Sequence, residues 1–176
     1  MSQNSSLQQW SIEARAFSIT FTPFSHNFWA LINPDGMIAG QLHGLAVDPV
    51  TGETKAVGNS RYLLQAISDR SISWSLQPGQ STVTCIAGFE AVIKERWQCA
   101  LASIQSINAL QLPYPDLWQH GYKPNSNTVF NTLGKIMGFS DPPNLLPTLA
   151  PGIRLVISQE IIENYCYTPI RNSRFT

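Results

Sequence analysis

The segment from His26 to Val47 has the sequence of a β-hairpin, and it constrains the fold of this chain more than any other segment. Residues 26–32 (HNFWALI) are rich in strand-forming side chains, and Asn33-Pro34-Asp35-Gly36 has the residue types of a tight turn. Residues 37–47 then return as a second strand. The pattern predicts two neighbouring antiparallel strands early in the chain.

Further strands are predicted on both sides of this hairpin. Residues 10–22 alternate in polarity, and residues 71–76 and 82–87 are two short runs joined by Gln77-Pro78-Gly79. Residues 62–68 fit a helix or a strand equally well, and residues 153–157 are expected to form a last strand.

The hydrophobic period changes to that of a helix in the second half of the chain. Apolar residues between positions 89 and 110 recur every three or four residues, as they do from Ser126 to the stop at Gly138. Strands that precede helices predict an α+β fold, with an antiparallel sheet packed against two main helices. We expect a single domain over residues 1–176, with residues 1–9 and 168–176 as loose tails.

The composition limits the classes of partner. Eleven Lys and Arg balance eleven Asp and Glu, so the charge that drives nucleic-acid binding is missing. Charged residues make up only 12% of the chain, which also fits a protein partner.

Neither a membrane span nor a cofactor site is expected. No run approaches the roughly 18 apolar residues that a membrane span needs. The start of the chain lacks the basic and apolar regions of a standard signal peptide, which predicts a cytoplasmic protein or one exported by another route. The three cysteines have no metal-binding spacing, and the sequence has no phosphate-binding glycine loop and no HExxH motif, so neither a metal nor a cofactor is expected.

Asn125-Ser126-Asn127, at the start of the second predicted helix, is the best candidate for chemistry. Ser and Asn are common there simply as helix caps. The unpaired backbone N–H groups and the positive end of the helix dipole also suit a nucleophile, because they can stabilise an oxyanion. A serine nucleophile in addition needs a histidine as its base.

His26 and His43 are the candidate base and its orienting partner. If Pro34 and Asp35 are the central turn residues, paired positions sum to 69 and the two histidines lie directly opposite each other. A bulged turn would change the sum to 70 and place them on opposite faces of the sheet. The sequence leaves both registers open. His120 could flank the pocket or be an ordinary loop residue, and Trp29 could contact substrate or belong to the core.

This order of residues resembles that of the circularly permuted papain-like fold of the NlpC/P60 and lecithin–retinol acyltransferase group. The resemblance covers roughly residues 24–138 and depends on three short motifs, SHNFW, QLHGL and PNSNTVFNTL. In that group, the histidine strands come first and an Asn-Cys pair opens a later helix. His26 matches the general base, His43 matches the orienting residue, and Ser126 stands where the family has cysteine.

The resemblance implies a hydrolase or acyltransferase that acts on an amide or ester bond. Its substrate would be a peptide, a peptidoglycan peptide or an acyl group, and a bacterial effector with cell-wall amidase or endopeptidase activity would fit. The backbone near Ser126 and Asn127, with the Asn125 side chain, would bind the oxyanion. Because a serine is less easily ionised than a cysteine, an inactive module that binds a peptide, glycan or protein partner is the alternative.

Overall fold

The computed structural model describes residues 9–56 and 58–169, which form an antiparallel sheet and three α-helices. The predicted loose tails lie almost entirely outside these residues. The strands are β1 (Trp10–Ser18), β2 (Ser25–Ile32), β3 (Ile38–Val47), β4 (Thr54–Lys55), β5 (Leu63–Ser68) and β6 (Thr82–Gly88). The helices are α1 (Glu90–Ala109), α2 (Ser126–Ile136) and α3 (Gln159–Tyr165). This architecture confirms the predicted α+β class.

The sheet is built around the β1–β2–β3 meander. β6 pairs with the free edge of β1, and β5 pairs with the far edge of β3 along residues 42–47. The short strand β4 pairs with Ala46 and Val47 of β3. Because β5 occupies the other edge of these two residues, β4 lies on the same edge of β3 as β2.

The main hydrophobic core lies between the sheet and the helices. Side chains alternate along the strands, so Trp29 of β2 and Leu42 of β3, which are paired, face the same side. Trp29 stacks on Phe130 of α2 and on Phe139, with ring centroids 4.4 and 5.0 Å away. Its indole Nε1–H donates to the Phe130 carbonyl at 2.9 Å. Trp29 therefore has a core position, with no exposed surface.

The opposite face of the sheet has its own buried layer. Phe28, Gln41 and His43 alternate with the residues that face the helices, and at most 1% of each is exposed. The segment between β5 and β6 covers them, and its Trp74 lies against both His26 and His43. We call this the outer face.

Two predicted strands are absent from the described structure, and neighbouring side chains explain why. Residues 71–76 form turns, since Asp69 Oδ1 accepts from the Ser71 N–H and Gln41 Nε2 donates to the Ile72 carbonyl. Residues 153–157 form turns after Gly152, and Asn131 of α2 binds the Leu155 carbonyl. Side chains thus form hydrogen bonds with backbone groups that would otherwise pair with a neighbouring strand.

Residues 62–68, which fit either type of element, are mostly strand, and α3 was not predicted. In the described ranges, no helix has both the length and the apolar character needed to cross a bilayer.

Candidate functional site

A gap between β2 and β3 creates the candidate site. The two strands pair from the turn only as far as Trp29 and Leu42. Beyond these residues they separate, and β4 takes up the edge of β3. A pocket of about 440 Å³ opens at this point, and both His26 and Ser126 line it.

The N-terminus of α2 is inserted into the gap and makes contact with both strands. The Asn127 side chain accepts from the Asn27 N–H at 2.9 Å and donates to the Ser25 carbonyl at 3.0 Å. It thereby pairs with the edge of β2 that β3 has left. On the other side, a Cβ placed on Gly44 would lie 2.6 Å from Val129 Cβ and 2.8 Å from the Ser126 carbonyl oxygen. Only glycine allows β3 and α2 to approach so closely.

Ser126 is the first residue of α2 and is 7% exposed. Its Oγ accepts a hydrogen bond from the Tyr114 hydroxyl at 3.3 Å. Burial raises the pKa of Tyr114, and the Ser126 hydroxyl and backbone N–H partly offset this rise. Tyr114 is therefore a protonated donor at neutral pH. Among the described residues, no hydrogen bond joins Ser126 to either histidine of the site.

The histidines lie on the same face of the sheet, because the register changes once more between the turn and the histidines. The residue numbers of paired residues add up to 70 at Ile32 and Ile38. A bulge follows, and from Leu31 and Gly40 onward they add up to 71. Just beyond the last paired residues, the His43 ring lies against Phe28 and His26, with ring centroids 4.6 and 5.3 Å away. The alternative in which the histidines lie directly opposite each other is not the observed one, because the turn and the bulge each add a residue to β3.

The two imidazoles form a hydrogen-bonded pair. His26 Nε2 and His43 Nδ1 are 3.0 Å apart, and the rings are parallel within 1°. Burial lowers the pKa of His26 to about 4. Burial, together with the nearby His26, lowers the pKa of His43 to about 2. Both rings are therefore neutral at pH 7, so His26 is in the form that can accept a proton.

The other predicted site residues have structural partners. Asn125 caps α2, since its Oδ1 accepts from the N–H groups of Asn127 and Thr128. Its Nδ2 donates to the carbonyls of His120 and Pro151. The predicted oxyanion donors at Asn125 and Asn127 are thus already engaged, which leaves the Ser126 N–H beside the Tyr114 hydroxyl.

His120 and Trp29 lie outside the lining of the pocket. His120 is half-buried, shares a hydrogen bond with the Pro115 carbonyl at 3.2 Å and packs edge-on against Tyr114. Burial lowers the pKa of His120. His120 thus packs against Tyr114 without reaching the pocket, whereas Trp29 lies in the core.

The pocket is mainly apolar. Side chains of Phe17, Ile19, Leu45 and Trp74 line it, along with backbone near Gly44. Lys55 is the charged residue in the lining, and its ammonium group is paired with Glu53 at 2.9 Å. In the part of the chain that the structure describes, no group of three or more His, Cys, Asp or Glu side chains is placed to hold a metal ion.

Two polar residues of the site were missed from the sequence. Gln41 precedes His43 by two residues on the same strand, so the period of a strand could have indicated that they share a face. Tyr114 lies between two prolines in a loop, and no local pattern connects it to Ser126. Comparison with known proteins found no matching family model, curated protein or solved structure.

Proposed function

We propose that the chain is a permuted papain-like hydrolase or acyltransferase that acts on an amide or ester bond. The observation that supports this most strongly is that Ser126, at the start of α2, and His26, on β2, line the same pocket. The nucleophile reaches this pocket from the helix side, and the base reaches it from the outer face. The papain-like order of histidine strands followed by a nucleophile helix agrees with this arrangement.

In the proposed reaction, Ser126 Oγ attacks the carbonyl carbon while His26 takes its proton. The C–N or C–O bond then breaks, and His26 returns the proton to the leaving group. Water, or an acceptor alcohol or amine, releases the acyl group in a second step through the same base. Ser126 must first turn from Tyr114 towards His26, since catalytic hydrogen bonds can be absent before the substrate binds.

The lining of the pocket favours an uncharged, apolar group next to the scissile bond. Phe17, Ile19 and Trp74 offer an aromatic and aliphatic surface, and the charge of Lys55 is already balanced by Glu53. A charged group would lose its hydration here without gaining a partner. An acyl chain or a peptide with an apolar residue therefore fits better than a strongly acidic peptide.

The test is hydrolysis of p-nitrophenyl esters with two to eight acyl carbons. We expect turnover to increase with chain length until the pocket is filled, and to be lost in Ser126→Ala. Ser126→Cys should retain or gain activity, because a thiol next to a histidine ionises more readily than a hydroxyl. The exposed Ser60→Ala variant is the matched control. Equal rates for wild type and Ser126→Ala would overturn the proposal.

The second candidate function is binding without catalysis. Two observations favour it: the Ser126 hydroxyl is bound to Tyr114, and the lowered pKa of His26 makes it a weak base. Under this alternative, all of the esters would be stable in the presence of the protein. A peptide with an apolar residue would instead bind in the pocket, with equal affinity in wild type and Ser126→Ala.

A further inference from the structure

We propose that Gln41 is a positioning residue that, through His43, keeps the Nδ1 atom of His26 unprotonated and ready to accept a proton. This inference rests on the proposed role of His26 as the base. It concerns which nitrogen of each ring carries the proton, a choice that the hydrogen bonds of neutral imidazoles determine.

The orientation of the Gln41 amide is fixed by its surroundings. Gln41 is completely buried, and its Nε2 lies 2.7 Å from the Ile72 carbonyl and 3.4 Å from the Arg70 carbonyl. Both of these groups accept hydrogen bonds only, so the amide nitrogen must face them. The Oε1 atom consequently faces the Ser75 hydroxyl at 3.1 Å and His43 Nε2 at 3.2 Å.

The direction of the hydrogen bonds between the rings follows from this orientation. Because Gln41 Oε1 can only accept, His43 must carry its proton on Nε2. In the neutral ring, His43 Nδ1 is then an acceptor, so His26 Nε2 must donate across the 3.0 Å contact. This leaves the proton of neutral His26 on Nε2 and its Nδ1 free.

The opposite arrangement would disable the base. If His43 carried its proton on Nδ1, it would donate to His26 Nε2, and His26 would carry its own proton on Nδ1. The bare Nε2 of His43 would then face the Oε1 of Gln41, and two acceptors in a buried site repel each other. Gln41 therefore disfavours the form of the pair in which His26 Nδ1 cannot take a proton.

The segment that covers the outer face also takes part in this hydrogen-bond network of Gln41, His43 and His26. The Arg70 and Ile72 carbonyls and the Ser75 hydroxyl all belong to it, and its Trp74 packs on both imidazoles. The segment between β5 and β6 thus orients Gln41 in addition to covering the histidines.

The test is long-range ¹H–¹⁵N NMR of the histidine rings at neutral pH. In the wild-type protein we expect protons on Nε2 and bare Nδ1 atoms in both His26 and His43. In Gln41→Leu, which removes the acceptor, we expect a population of both rings with the proton on Nδ1. The exposed Ser60→Ala variant, which lies outside this chain of hydrogen bonds, should leave the wild-type pattern unchanged.

Ester hydrolysis provides the second measurement. Gln41→Leu should lower kcat at least tenfold with little change in KM, and the exposed Ser60→Ala should change neither. A wild-type ring pair with protons on Nδ1, or tautomers that do not change in Gln41→Leu, would overturn the proposal. The wild-type spectrum by itself tests the predicted proton positions, even if the leucine variant does not fold. Correct tautomers in a protein that hydrolyses no ester would support the role of Gln41 in the histidine pair and refute the proposed function.

Discussion

At the residue scale, Gly44 is the position where adding a single Cβ atom would disturb the site most. It lies next to His43 on β3 and lets α2 approach so closely that Ser126 reaches the pocket. The nearest neighbours of an added Cβ are the backbone of Ser126 and the branched Cβ of Val129, neither of which can move without shifting α2.

We expect Gly44→Ala to lower the free energy of unfolding by about 1–3 kcal/mol, because it overpacks the contact between β3 and α2. Gly88→Ala is the matched control, since a Cβ at Gly88 would meet no atom within 4 Å. Urea denaturation of the two variants measures the difference. Equal stabilities would mean that the approach of α2 to β3 is looser than described.

The sequence indicated three candidate residues that prove to be neighbours, but not their geometry. Residue types at 26, 43 and 126 were enough to choose the two histidines and the serine. Their mutual arrangement depends on a bulge near Ile38, where β3 has one residue more than β2. The capping role of Asn125 is a common local pattern, whereas the contacts of its Nδ2 with His120 and Pro151 and the hydrogen bond from Tyr114 to Ser126 are tertiary, and no local pattern reveals them.

At the element scale, the position of α2 depends on Asn127. Its amide pairs with β2 at Ser25 and Asn27 and also donates to the Pro151 carbonyl at 3.2 Å. Ser25 and Asn27 are both at least 96% buried, so their backbone groups have no access to bulk water.

Replacing Asn127 by Ala should cost about 2–4 kcal/mol, because it leaves buried backbone groups of β2 without partners. The exposed Asn144→Ala is the control for loss of an asparagine, and it should change stability little. Hydrogen exchange at Asn27 should also accelerate in Asn127→Ala. Unchanged exchange there would show that another group holds the edge of β2.

Helices and strands with a regular hydrophobic period were predicted well. α1 and α2 lie within two residues of their predicted bounds, as do both strands of the hairpin. The failures at residues 71–76 and 153–157 have one cause: polar side chains of Asp69, Gln41, Asn131 and Thr132 bind the backbone of these segments. A period-based prediction does not include such bonds.

At the scale of the whole molecule, the buried histidine pair makes stability depend on pH. In the folded state the pKa values of His26 and His43 are about 4 and about 2, whereas an unfolded histidine has a pKa near 6.5. The unfolded chain therefore binds more protons than the folded chain as the pH falls below 6.5. Stability is fully present above that pH and is lost as the pH falls towards 4.

Between pH 8 and pH 5, we expect a loss of about 2 kcal/mol for each of the two histidines. His120, whose pKa is also lowered by burial, acts in the same direction. Urea titrations at the two pH values measure the loss, and His43→Phe should reduce it. A stability that is the same at pH 8 and pH 5 would contradict the buried, neutral pair.

The central claim is that Ser126 is a nucleophile and His26 its base, and covalent labelling tests it most directly. An alkyl fluorophosphonate should form a bond from its phosphorus to Ser126 Oγ, with loss of fluoride and transfer of the serine proton to His26. We predict a single adduct, located by mass spectrometry on the peptide that contains Ser126. The adduct should be absent in Ser126→Ala and strongly reduced in His26→Phe. An unlabelled wild-type protein, or labelling that His26→Phe leaves unchanged, would contradict the account.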